Sequence, residues 1–193
     1  SVYQDKIYLL FIGLTFVFAS CFFQLFTNLP AYYRNEVGFS ERFIGLLGAI
    51  NGLLITFFEM LLVFRLEKRW SHTYMIGRGV FLCGMAYLMV YLFSMQAPLA
   101  IAMIILITFG EILSMPFMNS FWITRSSSHN RGQYAALYTM SWATAQTIAP
   151  VTAAFIAETF GFPFLWGSVS VLMLLAAGGF GYLHSRWFSH SKG

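Results

Sequence analysis

The sequence has little charge. Only 9% of its 193 residues are Asp, Glu, Lys or Arg, against about a quarter in a soluble globular chain. That deficit excludes a water-soluble domain of this length. Cysteine is scarce as well: Cys21 and Cys83 are the only two, and neither has His or Asp neighbours at ligand spacing. A disulfide framework and a zinc site are both excluded, and the two thiols read as small buried hydrophobes. The four histidines, His72, His129, His184 and His190, lie in or beside the gaps between apolar runs. No nucleophile has a His and an acid at plausible spacing, so an enzyme is not expected, and no cofactor is expected either. No repeated ring of charges or pore-loop segment marks a channel.

What fills the chain is apolar: 59% of residues are hydrophobic and the mean hydropathy is +0.70. Spanning a bilayer takes about 20 mostly apolar residues. Six stretches meet or approach that length, near 7–29, 43–64, 75–93, 98–124, 134–157 and 163–184. Loop chemistry separates them: NLPAYYRNEVGFSER, RLEKRWSH, SMQAP, RSSSHNRGQ and ETFGFP. Pro98 and Pro163 suit first helical turns, where a missing N–H costs nothing. The expected fold class is all-α and polytopic: six transmembrane helices in one bundle over residues 1–193, with no linker of domain size.

The net charge of +4 reflects topology rather than nucleic acid. Lys6, Arg65, Lys68, Arg69, Arg78, Arg125, Arg131, Arg186 and Lys192 fall on one side of the six spans, and Arg34 and Arg42 on the other. Cytoplasmic loops hold the positive excess, so both ends of the chain are expected in the cytoplasm of a bacterial inner or plasma membrane. The first span is too long, and its flank too weakly basic, for a cleaved signal peptide. The chain opens on SVYQDK without an initiator methionine, and the expectation is that it is the C-terminal portion of a longer protein.

One carboxylate stands in the middle of an apolar span, Glu111 in FGEILSMPFMNSFW. Thr108, Glu111, Met115, Asn119 and Trp122 follow one another at helical spacing, opposite Leu106, Gly110, Leu113 and Phe117. A charge at that depth costs at least ~2.5–3.5 kcal/mol, so Glu111 must be protonated, paired or wet. A polar stripe of this kind lines a cavity or faces other helices. The first span carries a second stripe, Ser20, Gln24, Thr27 and Asn28, running into Tyr32. It suits either solute contact or interhelical hydrogen bonding worth about 0.6 kcal/mol per contact.

The remaining spans read as packing. GLLGAING brings Gly45, Gly48 and Gly52 to a close-approach face. The fifth span is rich in alanine, with Trp142 and Gln146 one turn apart and a kink allowed at Pro150, and is expected to be central and crowded. The sixth has no charge at membrane depth and is expected at the periphery. Glu59 sits only about five residues, or ~8 Å, from the end of its helix. It is expected to latch onto the RLEKR cluster through Arg65 and Arg69 at the cytoplasmic mouth.

The polar first and fourth spans, the basic 65–72 loop, and above all GEILSMP followed by RGQYAALYTMSWATAQTIAP together resemble the C-terminal half of a major facilitator superfamily transporter. RLEKRWSH departs from that family's cytoplasmic signature in lacking its glycine and aspartate. The resemblance implies two inverted three-helix repeats, with the solute bound near the midplane between two halves. It implies that the first and fourth spans line the cavity, the second and fifth flank it, and the third and sixth face lipid. It further implies proton coupling at Glu111 and a solute cavity built from Gln24, Asn28, Thr108, Met115, Asn119, Trp122, Trp142 and Gln146. The implied partners are a small-molecule solute, the N-terminal six-helix half of the same chain and the lipid bilayer. The rival is a structural or assembly subunit whose helices simply pack, and which needs no second polar stripe.

Overall fold

The computed structural model describes the backbone of residues 2–190 and the side chains of residues 2–186. Lys192 and the side chain of His190 lie outside the described residues. Within them the elements are helices, with no strand. The first span is α1 (Lys6–Phe22), a 3₁₀ turn at Phe23–Leu25, α2 (Asn28–Tyr32) and a π turn at Tyr33–Val37. The other five are α3 (Glu41–Glu67), α4 (His72–Leu92), α5 (Ala97–Arg125), α6 (Arg131–Phe160) and α7 (Phe162–His190). Five of these six spans are both long and apolar enough to cross a membrane, and α6 has the length without the hydropathy. The protein is a multi-pass membrane protein.

Local chemistry sets the boundaries. Asp5 caps α1 by accepting the Tyr8 N–H at 3.1 Å, and Ser40 caps α3 through the Phe43 N–H, each satisfying a donor that the first turn leaves open. Pro98 stands in the first turn of α5, as its ring allows. Gly38 (φ 78°) and Gly161 (φ 87°) end their helices in a left-handed conformation that other residues adopt at a cost. The interruption inside the first span has two causes. Pro30 offers no N–H to the carbonyl four residues before it, that of Phe26. In addition, Gln24 and Thr27 turn their side chains onto the Ser20 and Phe23 carbonyls at 2.8 and 2.9 Å, offering the backbone an alternative to the helical ladder.

Packing follows an exchange. α4 lies along both α5 and α7, while α3 packs on α5 and α6 on α1. Each set of three spans thus lends its middle helix to the other set, the relation that two inverted repeats produce. Two expectations are corrected here. The fifth span is not central: α6 buries only Tyr134, Ser141, Ala145 and Ala153. Its alanines are spread around the helix, and only one narrow stripe reaches α1. The sixth span is peripheral on one face only: α7 packs on α4, α1 and α6 and buries Leu165, Trp166, Met173, Phe180 and Leu183, while Val171, Leu172 and Leu175 stay exposed. α3 is the other outlying helix, burying Leu47 and Asn51 alone.

α4 and α5 meet backbone to backbone at Gly79 and Gly110. A Cβ on Gly79 would come within 2.5 Å of the Gly110 carbonyl oxygen, and one on Gly110 within 2.7 Å of that of Gly79. Neither neighbour is a movable side-chain tip, so the helices must separate to admit a methyl group. Gly79→Ala is expected to lower stability by about 1–3 kcal/mol, read as an earlier thermal unfolding midpoint in detergent. An unchanged midpoint would mean that the pair is not this close.

At the basic end, Asp5 ties three helices together. Its carboxylate accepts from Arg125 Nε at 2.5 Å and Nη2 at 2.6 Å, at the end of α5. It also accepts from the Tyr134 hydroxyl at 2.8 Å, in the first turn of α6. The Tyr8 hydroxyl donates to the Tyr134 carbonyl at 2.6 Å. No local pattern pairs Asp5 with Arg125, which is 120 positions away.

Candidate functional site

The fourth-span stripe forms as spaced, and its burial is graded. Thr108 is fully buried, Glu111, Met115 and Trp122 are half-buried, and Asn119 is exposed. The face opposite runs against α4, with Gly110 and Phe117 buried there. Thr108 and Glu111 lie under α3, where Asn51 meets both: its amide donates to Thr108 Oγ1 at 2.9 Å and to Glu111 Oε2 at 3.1 Å. Thr108 in turn donates to the Ile104 carbonyl at 2.6 Å. Asn51 fixes the carboxylate without neutralising it. Among the described residues no Lys, Arg or His forms an ion pair with Glu111.

Sequence reasoning missed Asn51. It sits in GLLGAING, where the glycines drew the reading toward packing. The signal was present in its amide at membrane depth, eight residues before Glu59 and so on nearly the same face of the helix. On one side of Asn51 a cavity of about 130 Å³ opens between α2, α3 and α5, lined by Leu25, Phe26, Leu29, Tyr33, Leu47 and Ile104 among others. Toward the basic end, Glu59 stands eight residues further along α3 and is half-buried. Asn51 and Glu111 face one another across the α3/α5 seam.

The other candidate residues separate into two groups. Gln24 and Asn28 are buried, and their amides bond to one another at 2.6 Å, to the Ser20 carbonyl and, across to α6, to the Pro150 carbonyl at 3.1 Å. Asn119, Trp122, Trp142 and Gln146 lie along α5 and α6. Trp122 Nε1 donates to Asn119 Oδ1 at 2.7 Å, and Gln146 is exposed. Between the tryptophans stands Tyr138, 6.0 Å from Trp122 and 6.3 Å from Trp142, ring centre to ring centre. Phe18, Phe22 and Phe23 pack edge-on against Trp142 from α1 and the turn after it. The result is an aromatic wall with a polar upper edge.

The expected latch at the basic end is not formed. Among the described residues Glu59 makes no ion pair with Arg65 or Arg69, both of which are exposed. α3 continues unbroken to Glu67 and carries Arg65 six positions on, round to another face. Lys68 lies over the Phe64 ring at 4.0 Å instead. Among the described residues there is also no cluster of side chains able to hold a metal.

A family model described as Major Facilitator Superfamily matches residues 2–150. No curated protein sequence matches the chain. Two crystal structures are similar in fold. A POT family transporter in complex with 5-aminolevulinic acid is 20% identical at a TM-score of 0.74, over 89% of this chain and 39% of that one. A POT family transporter in complex with a thioalcohol-conjugated peptide is 19% identical at a TM-score of 0.78, over 94% and 41%. The chain thus spans about two fifths of the length of these carriers.

Proposed function

The chain belongs to the major facilitator superfamily, and from that premise we propose that it forms one lobe of a two-lobed carrier for a small solute. The lobes rock about a site between them, exposing it to each side in turn. The basic end is cytoplasmic, in keeping with its excess of Lys and Arg. Movement of the solute is coupled to protons at Glu111. The observation that carries this reading is a membrane-depth carboxylate held by the neutral donor Asn51, with no cation paired to it among the described residues. Such a group is free to exchange a proton as its surroundings change, which a structural ion pair is not.

The solute lies against the open faces of α5 and α6. Asn119 and Gln146 supply polar contacts, and Trp122, Tyr138 and Trp142 supply flat apolar ones. Met115 continues the wall inward to Glu111, and Thr108 lies behind that carboxylate, fully buried and bonded to Asn51. Gln24 and Asn28 shape the first span by holding its interruption against α6. The full-length carrier in proteoliposomes, given an imposed pH gradient, is expected to concentrate solute and to acidify or alkalinise the lumen as it does so. Passive packing with no solute-dependent proton movement would leave the assembly-subunit reading in its place.

Asn51 has a separable role. Asn51→Ala removes the donor that orients Glu111, and a hydrogen bond to a charged group contributes about 1.5–3 kcal/mol. Gradient-driven accumulation is expected to drop about tenfold or more, with the amount of folded protein unchanged. Equal accumulation by the variant would show that Asn51 serves packing alone.

A further inference from the structure

α4 and α7 present a second built surface, on the side of the bundle away from α3 and α6. Gly77 packs on α7 near Ala177, Phe180 and Gly181, and the outer edge of the seam is a groove. At the basic end it encloses about 560 Å³ and is lined by Thr73, Tyr74, Gly77, Arg78, Phe81 and Gly181 among others. It meets a second groove of about 620 Å³ at Leu174, which continues toward the opposite end past Leu88, Tyr91 and Phe164. The rims are apolar and open: Phe81, Val171, Leu172 and Leu175 are each about half exposed or more. α4 beyond Arg78 and α7 before His184 carry no charged residue. A wall of that composition belongs in hydrocarbon.

The groove has a cation at one end only. Arg78 lies six residues, or ~9 Å, into α4, and its side chain turns back toward the basic end along the aromatic rings. The guanidinium stands 4.3 Å from the centre of Tyr74 and 5.9 Å from that of Trp70. This is the snorkelling posture that keeps a charge at the level of the headgroups. Among the described residues no carboxylate pairs with Arg78, and the acid nearest in sequence, Glu67, faces His72 at 3.7 Å. Opposite, His184 Nδ1 shares hydrogen bonds with Thr73 Oγ1 at 2.9 Å and Ser71 Oγ at 3.2 Å, which holds the two helix ends together beneath the cation.

We propose that this groove binds an anionic phospholipid of the leaflet at the basic end, its phosphate on Arg78 and one acyl chain laid over Gly77, Gly178 and Gly181. The occupant is a lipid because the channel is long, apolar and continuous with the membrane. It is anionic because Arg78 offers the phosphate fixed, preoriented donors, with Lys68, Arg69 and Arg186 adding positive field at the same end.

The test is native mass spectrometry of the full-length carrier in detergent, titrated with phosphatidylglycerol or with phosphatidylcholine of the same chains. Wild type is expected to retain phosphatidylglycerol in preference, and Arg78→Ala to lose about fivefold of that preference, the share of one interfacial cation. Gly178→Leu and Gly181→Leu are expected to fill the groove with the fold retained, since a Cβ at either position meets nothing within 4 Å. Each is expected to reduce retention of both lipids with Arg78 in place, and this arm stands even if Arg78→Ala misfolds. Inorganic phosphate in excess should leave the lipid bound. Equal retention of the two lipids, unchanged retention in the glycine variants, displacement by inorganic phosphate, or a dimer that carries no lipid would each overturn the proposal.

Discussion

Glu111→Gln is expected to abolish proton-driven accumulation of solute while exchange of solute across the membrane continues. The substitution keeps the shape of the side chain and its place beside Asn51, whose amide at 3.1 Å then faces an amide oxygen in place of a carboxylate oxygen. What it removes is the capacity to carry a proton. One proton moved per solute down a gradient of one pH unit supports about tenfold accumulation, so the variant should equilibrate solute without concentrating it. In the proposed carrier, rocking of the two lobes is expected to need no charge at position 111 and to be eased by its loss, since no bare carboxylate has to be enclosed. Counterflow in proteoliposomes separates the two properties. Accumulation persisting at the wild-type rate would remove Glu111 from coupling. Loss of exchange as well, in a variant that still folds, would mean that Glu111 holds the solute itself.

Asp5→Asn is expected to have the largest effect on stability. Asp5 and Arg125 have side chains 14% and 16% exposed, and removing one partner of a buried pair costs about 3–5 kcal/mol. The pair sits at the end of the bundle, within reach of water, which puts the expected cost at the lower figure, about 3 kcal/mol. Asp5→Leu combined with Arg125→Leu should recover much of it, because both charges of the pair are then removed together.

The same brace makes a pH prediction. Burial alone would raise the Asp5 carboxyl, but the hydrogen bonds from Arg125, Tyr134 and the Tyr8 N–H outweigh it and hold the group below its ordinary value of 3.8. Folded protein therefore takes up that proton only in more acid than unfolded protein does. The contribution of Asp5 is complete above pH 3.8 and is lost as pH falls through the lower folded-state value. Thermal midpoints of wild type and Asp5→Asn measured in detergent should converge in that acid range and stay apart at neutral pH. A constant gap would show that the carboxylate charge is not what stabilises the brace.

Helix positions were legible in the sequence because their causes are local. Pro98, Pro163 and the basic gaps act within a turn or two of the boundaries they set, and the stripe from Thr108 to Trp122 is one helix's own periodicity. The interruption of the first span was half visible: Gln24, Thr27 and Asn28 were seen as a polar stripe, yet their competition with the backbone was not followed through to a break before Pro30. Burial of whole helices was not legible. An alanine-rich span reads as crowded wherever it stands, and only the exchange of middle helices between the two sets puts α6 outside and α7 inside. Asn51 was hidden among glycines, and its role depends on a residue 60 positions away. The Asp5 brace was hidden for the same reason.

The modest hydropathy of α6 bears on how the protein is made. A segment carrying Gln133, Ser141, Gln146 and several threonines gains little by leaving water for lipid on its own, unlike the five more apolar spans. Its most extensive packing is against α1, and the clamp at its first turn is Asp5. Both precede α6 by more than 100 residues, so the surface that accepts α6 is already in the membrane when α6 leaves the ribosome. Order of translation supplies the partner first, and a permuted gene encoding α6 ahead of α1 would deprive it of that reception.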